Sequence, residues 1–246
     1  MKLPEPFRFE SEHLAIDLPG ARAVFTTRRG GVSQGPYASL NLGRFTDDDR
    51  RAVERNRESL QRALGVRFAY GRQVHGTRVM TVEEPAPENG SVPPEADGQA
   101  TARPEIAPMV LTADCLPIAI AGEGAVAMVH AGWRGLAGGV VGEGVAALRS
   151  LGVAGGLEAA IGPGAGPCCY EVGEEVHAAF ASRGEIARRG RNLDLKAIAR
   201  EELRGAGVDA VHDAGLCTIC ADPDLFFSHR RDRGVTGRQA GIAWLS

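Results

Sequence analysis

The sequence predicts one α/β or α+β domain built on mixed β-sheets. Three observations carry that expectation. Apolar runs of strand length recur along the chain, segments with helical spacing stand between them, and no linker, repeat or low-complexity block divides the 246 residues. A hydrophobic content of 43% is ample for a packed core.

The elements follow in order. "ARAVFTT" (21–27) alternates and is β-branched, which predicts a strand running into the turn "RRGGVSQG". From Asp48 to Leu64 polar and apolar residues recur at helical spacing, acids begin the segment and Gly65 ends it, so a helix is expected. "FAYGRQVHG" and "TRVMTVEE" read as a pair of short strands, and the Pro/Glu-rich segment 84–96 as a mobile loop. "APMVLTAD", "LPIAIAG" and "GAVAMVHAG" are three apolar runs suited to a buried sheet. Residues 134–152 set Leu136, Val140, Val141, Val145 and Leu148 on one helical face, with glycines that weaken the helix but allow close packing on a sheet. "LEAAIG" is a strand, "GPGAGPCC" a turn-rich loop, and residues 172–182 a short helix. Asn192 caps a helix from Leu193 to Leu203, and "VDAVHDAG" and "RQAGIAWL" close the chain as strands.

Composition excludes several functions. The net charge is only −3 with both signs interleaved, so there is no basic stripe for nucleic-acid phosphates. The start "MKLPEPFRFE" has no apolar signal core, and no run approaches the roughly 18 apolar residues of a membrane span. We therefore expect a cytoplasmic protein, a monomer or weak homo-oligomer, with no nucleic-acid or membrane partner. Five cysteines, an odd number in a chain too long to need stapling, favour free thiols, a metal ligand or a nucleophile over a disulfide framework.

The chemistry gathers at strand ends. A metal that activates water or phosphate needs imidazole and thiolate ligands with one position left open, and His75, Cys115 and His130 can supply them. Their separations match no compact ligand motif, and each also fits a buried structural residue. Yet "RQVHGT" and "MVHAGWRGL" place a histidine just before a glycine or Ala-Gly, where a turn opens space for a ligand. "TADCLP" does the same for the thiol. In "CTIC", Cys217 and Cys220 have the spacing of half a zinc ribbon, but the adjacent Cys168 and Cys169 make no second Cys-x-x-Cys pair, so free thiols are expected there. "GPGAGP" matches neither the phosphate-loop nor the dinucleotide glycine pattern. The H-x-E and P-C-x-x-C signature of zinc base deaminases is absent too.

The ordered set "RQVHG", "ADGQAT", "LTADCLPI", "VHAGWRGL", "IGPGAGPCCYEVG", "NLDLKAIAREEL" and "FFSHRRDRGVTGRQAGIAWL" resembles the YfiH/YlmD family of purine nucleoside phosphorylases, long labelled multicopper polyphenol oxidase or laccase. The resemblance runs from about Thr27 to Leu245. It implies an α/β/β/α layering shared with a bacterial toxin deamidase, and one zinc held by His75, Cys115 and His130. It also implies phosphorolysis of adenosine, inosine and methylthioadenosine together with deamination of adenosine. Purine nucleosides and phosphate would be the partners, and 1–246 one catalytic domain.

Phosphorolysis needs the phosphate charge stabilised beside the sugar C1′, and arginine's planar fork suits that task. Arg28, Arg134 and Arg230 are the candidates, each also readable as a surface or salt-bridged arginine. Arg134 stands out because it follows His130 by four residues at the start of an expected helix, whose amide groups favour an anion. Asp114 fits a partner that orients a ligand, an acid or base, or a turn residue. Asn41 fits either a hydrogen bond to ribose or base, or an Asx turn. Three rival functions stay open. Two His and one Cys also make a blue-copper ligand set, though a laccase needs many more histidines than the six here and has His-x-His pairs that this chain lacks. Cys115 could be a nucleophile with His130 as its base, as in a hydrolase or amidase acting on cell-wall precursors. The last is a non-catalytic zinc-binding or partner-binding domain.

Overall fold

The computed structural model describes residues 3–86 and 92–246, so residues 87–91 of the expected 84–96 loop lie outside the described residues. The longest apolar runs fold as β7 (Ile106–Thr112), β8 (Leu116–Gly122) and β9 (Ala125–Ala131), and every residue of β8 and β9 is buried. Strands with no polar face must be covered on both sides. Alternation assigns the two covers: Leu116, Ile118 and Ile120 of β8 and Ala127 and Val129 of β9 pack toward helices, while Ala119, Ala121, Val126 and Met128 pack toward a second sheet.

That second sheet is built by β1 (Arg8–Glu10), β2 (His13–Leu18), β3 (Ala21–Phe25), β4 (Arg67–Ala69), β7 and β14 (Gln239–Leu245), in the order β1-β2-β3-β14-β7-β4. Its partner adds β5 (Val79–Thr81), β6 (Gly98–Thr101), β10 (Glu158–Ile161) and β13 (Ala210–Asp213) to β8 and β9, in the order β13-β10-β8-β9-β6-β5. Both sheets are mixed: β4 runs parallel to β7, β5 to β6 and β13 to β10, and the remaining neighbours are antiparallel. Leu14, Ile16, Phe25, Val110 and Met128 fill the space between the sheets. The helix α1 (Arg50–Leu64) covers the first sheet through Leu60, against Phe68, Met109 and Ile242. The second is covered by α2 (Trp133–Gly138), α3 (Val140–Ser150), α4 (Glu174–Ala179) and α5 (Leu195–Gly205) through Leu136, Val145, Leu148, Val176, Ile198 and Leu203. The order of layers is α/β/β/α. A small ribbon of β11 (Arg188–Arg189) and β12 (Asn192–Leu193) precedes α5.

Several expectations need correction. The two strands expected over 68–84 do not pair. Only 67–69 and 79–81 are extended, in different sheets, and the segment between them crosses from one sheet to the other. The helix expected over 134–152 is two, broken at Gly139, whose φ of 91° is a left-handed conformation that ends α2. The N-cap of α5 is Asp194, which accepts from the Ala197 amide, whereas Asn192 donates to the Pro167 carbonyl. The strand β2 was not anticipated although Leu14, Ile16 and Leu18 alternate with His13, Ala15 and Asp17 along it, whereas the three residues of β1 and four of β6 are too short for such a signal.

Candidate metal centre and its cleft

Two crossings between the sheets and one strand end bring three candidate ligands together. His75 sits on the crossing from β4 to β5, Cys115 on the turn from β7 into β8, and His130 near the end of β9. His75 and Asp114 both adopt positive φ, 60° and 92°, which turns the chain sharply at each crossing. One ligand atom from each of His75, Cys115 and His130 lies within 4.8 Å of the other two, with His75 Nε2 3.8 Å from Cys115 Sγ. The imidazole rings meet edge-on with centroids 4.9 Å apart. Two nitrogens and one thiolate sulfur are a donor set suited to zinc with a fourth position open. The fit extends to the backbone, because a Cβ on Gly132 would stand 3.0 Å from the His75 ring and 3.1 Å from Cys115 Sγ. A side chain there would crowd both, and His75 and Cys115 would have to give by a few tenths of an ångström.

Asp97, which the sequence reading did not single out, organises the centre. Its fully buried carboxylate bonds His130 Nδ1 at 2.8 Å and accepts the backbone N–H groups of Val74, His75 and Gly76 at 3.1, 2.9 and 2.8 Å. One side chain thereby fixes the His75 loop and leaves the other nitrogen of His130 for a ligand. Burial opposes its ionisation, but the bonds from His130, Val74 and Gly76 hold the carboxyl below its ordinary range. Asp97 lies in the "ADGQAT" motif, one residue before β6, and its carbonyl accepts the His130 amide at 2.7 Å, a bond that follows from β6 lying beside β9. The thiol and imidazole also work on each other. Burial opposes charge on both, yet His130 draws the Cys115 thiol well below its usual value, and the Cys115 charge with the Asp97 bond draws His130 well above its own.

A cleft of about 430 Å³ opens over the three ligands, a volume within the range of small-molecule sites. Arg44, Arg134, Arg230 and Arg238 line it with His229, and Phe45, Leu111, Trp133 and Tyr170 add apolar and aromatic surface. Arg134 is exposed and its guanidinium lies 4.4 Å from the Trp133 ring centroid. The helix whose second residue it is has only six residues, too short for the anion-binding terminus expected from the sequence. Arg230 donates through its backbone N–H to Asp114 and through Nη1 to the Glu171 carbonyl, both at 2.7 Å, and lies 5.3 Å from the Tyr170 ring centroid. Arg238 and Arg44 had not been anticipated. Arg44 is ion-paired with Glu54 at 2.6 Å.

The remaining candidates sit differently. Asp114 lines the cleft, but one of its oxygens accepts from Thr218 Oγ1 and the other from the Arg230 amide, each at 2.7 Å, so it ties the β7–β8 turn to two points of the β13–β14 connection. Arg28 is outside the cleft lining: its nitrogens donate to the carbonyls of Ala38, Pro223 and Pro36, and its guanidinium lies 4.5 Å from the Phe227 ring centroid. Asn41 is fully buried. It donates to Thr46 and Asp48 and accepts the amides of Gly43 and Arg238, an Asx turn that shapes the cleft wall from behind.

Fold and site together define an α/β/β/α protein with a His/Cys/His cluster, able to hold a metal, beneath a cationic cleft. Residues 22–246 match the family described as multi-copper polyphenol oxidoreductase laccase. The chain is 44% identical to a purine nucleoside phosphorylase of Xylella fastidiosa, an alignment covering 92% of this chain and 93% of that one. It is also 44% identical to one of Pseudomonas aeruginosa, over 91% and 93%. The crystal structure of YlmD from Geobacillus stearothermophilus superposes with a TM-score of 0.90 at 36% identity, covering 98% of this chain and 99% of that one. The chain belongs to the YfiH/YlmD family.

Proposed function

We propose that the chain is a zinc-dependent purine nucleoside phosphorylase, releasing free base and ribose 1-phosphate from adenosine and inosine, and adenine and methylthioribose 1-phosphate from methylthioadenosine, with a side activity of adenosine deamination. The observation that carries the reading is the cleft, which sets a metal-type ligand cluster between arginines and aromatic surface; the names of the 44%-identical relatives point the same way. Zinc at His75, Cys115 and His130 would supply a Lewis acid with an open coordination position. The chain's own groups do the rest. Arg134, Arg230 and Arg238 supply positive charge for phosphate. Trp133, Tyr170 and Phe45 offer faces for a purine and exclude water from it. Burial, with the Cys115 charge, pushes the Tyr170 phenol up to about 12, so it stays protonated at neutral pH and can donate to the departing base. Five free thiols suit a reducing, cytoplasmic setting, and among the described residues no helix is long and apolar enough to cross a membrane.

The laccase description finds less support here. Among the described residues only one histidine-bearing cluster reaches ligand distance. A second reading has a specific observation behind it, because Cys115, His130 and Asp97 stand in the relation of nucleophile, base and orienting carboxylate. One preparation separates the two. Purified protein is analysed for metal and assayed with each nucleoside, with and without phosphate, for free base, ribose 1-phosphate and ammonia. The phosphorolytic reading expects base and the matching sugar 1-phosphate, which is methylthioribose 1-phosphate from methylthioadenosine, in equal amounts and only with phosphate. Base release indifferent to phosphate, or a covalent adduct on Cys115 in the intact mass, transfers the assignment to the hydrolase.

A further inference from the structure

Four cysteines that the cleft does not use meet at one point. Strands β10 and β13 are parallel neighbours, so the loops leaving their ends run side by side. Gly164 bridges to Cys217, and the Thr218 amide donates to the Gly164 carbonyl at 3.1 Å. The first loop carries Cys168 and Cys169, the second Cys217 and Cys220. The four Sγ atoms all lie within 4.8 Å of one another, with Cys168 and Cys220 at 3.5 Å. Zinc–thiolate bonds of about 2.3 Å in a tetrahedron place sulfurs roughly 3.8 Å apart, whereas a disulfide brings two sulfurs to about 2.05 Å and leaves the other two out. Four sulfurs within 4.8 Å of one another, none at disulfide distance, accommodate such a tetrahedron.

The backbone around the cluster is also shaped for thiolate. Gly166 donates its N–H to Cys217 Sγ at 3.2 Å, and a Cβ there would stand 3.3 Å from Cys168 Sγ and 3.1 Å from Cys217 Cβ. A side chain at Gly166 would crowd Cys168 and Cys217 where the two loops close. The sequence reading expects free thiols because Cys168 and Cys169 do not form a Cys-x-x-Cys pair. Pairing of the loops in space supplies what sequence spacing does not.

We propose that Cys168, Cys169, Cys217 and Cys220 form a second metal centre, a closed tetrathiolate site for zinc with a structural role. On binding, the thiols release their protons to solvent and no electron is transferred. The site ties together the loops that lead to Tyr170 and Thr218, and Thr218 is a support of Asp114. Its zinc is independent of the zinc at His75, Cys115 and His130.

The test is zinc content, by mass spectrometry of the elements, of wild type, His75→Ala/Cys115→Ala and Cys217→Ser/Cys220→Ser, all purified with reductant and without chelator. One equivalent retained in His75→Ala/Cys115→Ala and lost from Cys217→Ser/Cys220→Ser is expected. Should only the cleft reading fail, wild type holds a single equivalent and His75→Ala/Cys115→Ala keeps it. Should Cys217→Ser/Cys220→Ser not fold, cobalt(II) loading of His75→Ala/Cys115→Ala decides: intense visible bands of tetrahedral thiolate cobalt are expected. Absence of zinc and of those bands in that variant, with the four thiols freely alkylated or joined as disulfides in the intact mass, overturns the proposal.

Discussion

Single side chains carry much of the site. Asp97 grips both histidine-bearing segments, so Asp97→Asn should weaken metal binding by about 10- to 100-fold, read by competition with a chromophoric chelator. Its carboxyl titrates below the ordinary range, so its contribution to stability is present above that range and is lost as pH falls through the lowered value. Wild type should therefore lose more stability in acid than Asp97→Asn does. Gly132→Ala tests the crowding of His75 and Cys115, and it should lose metal while its far-ultraviolet dichroism stays that of wild type. Arg134→Lys keeps one charge but gives up the planar fork. Losing one charged hydrogen bond of about 1.5 kcal/mol should raise the KM for phosphate by about tenfold with little change for nucleoside. Unchanged phosphate dependence in a metal-loaded variant shifts that role to Arg230 or Arg238. The clustering of His75, Cys115 and His130 was legible because each follows an apolar run at a turn. Asp97 was not, since its role depends on β6 lying beside β9, which nothing in a four-residue strand announces.

At the scale of elements, legibility followed length and periodicity. β8 was read with its observed bounds and α1 nearly so, because an unbroken apolar run and an Asp-to-Gly helical segment are local signals. Pairing was the part out of reach: 67–69 and 79–81 are close in sequence yet belong to different sheets, and only tertiary packing decides that. One element carries a pH signature. Glu202 of α5 pairs with Arg183 at 2.8 Å through one oxygen, while the other is buried without a partner. Burial, opposed by Arg183 and reinforced by Glu201, raises its carboxyl from 4.5 to about 7. The native state thus holds an extra proton between those values, so stability falls as pH rises through that window. Glu202→Gln should remove the slope and gain on the order of 1 kcal/mol at pH near 8, with no gain below pH ~4.5, measured as midpoints of urea unfolding across pH.

Across the whole molecule, two sheets lie face to face with helices outside, and the chain steps between the sheets at the very places where His75 and Cys115 stand. Thr112 ends β7 in one sheet and Leu116 begins β8 in the other, with Cys115 in the step between them. Asp114, on the same step, is pinned at two points to the connection between β13 and β14. A metal held by these ligands is therefore a rivet through the sandwich, and pulling it out is felt by both halves. Under hydrogen exchange, stripping the metal should accelerate the amides at the ends of β4 and β7 together with those of β6 and β9, as one cooperative opening. Deuterium uptake confined to the His75 loop would mean that the sandwich is held shut by its apolar filling alone.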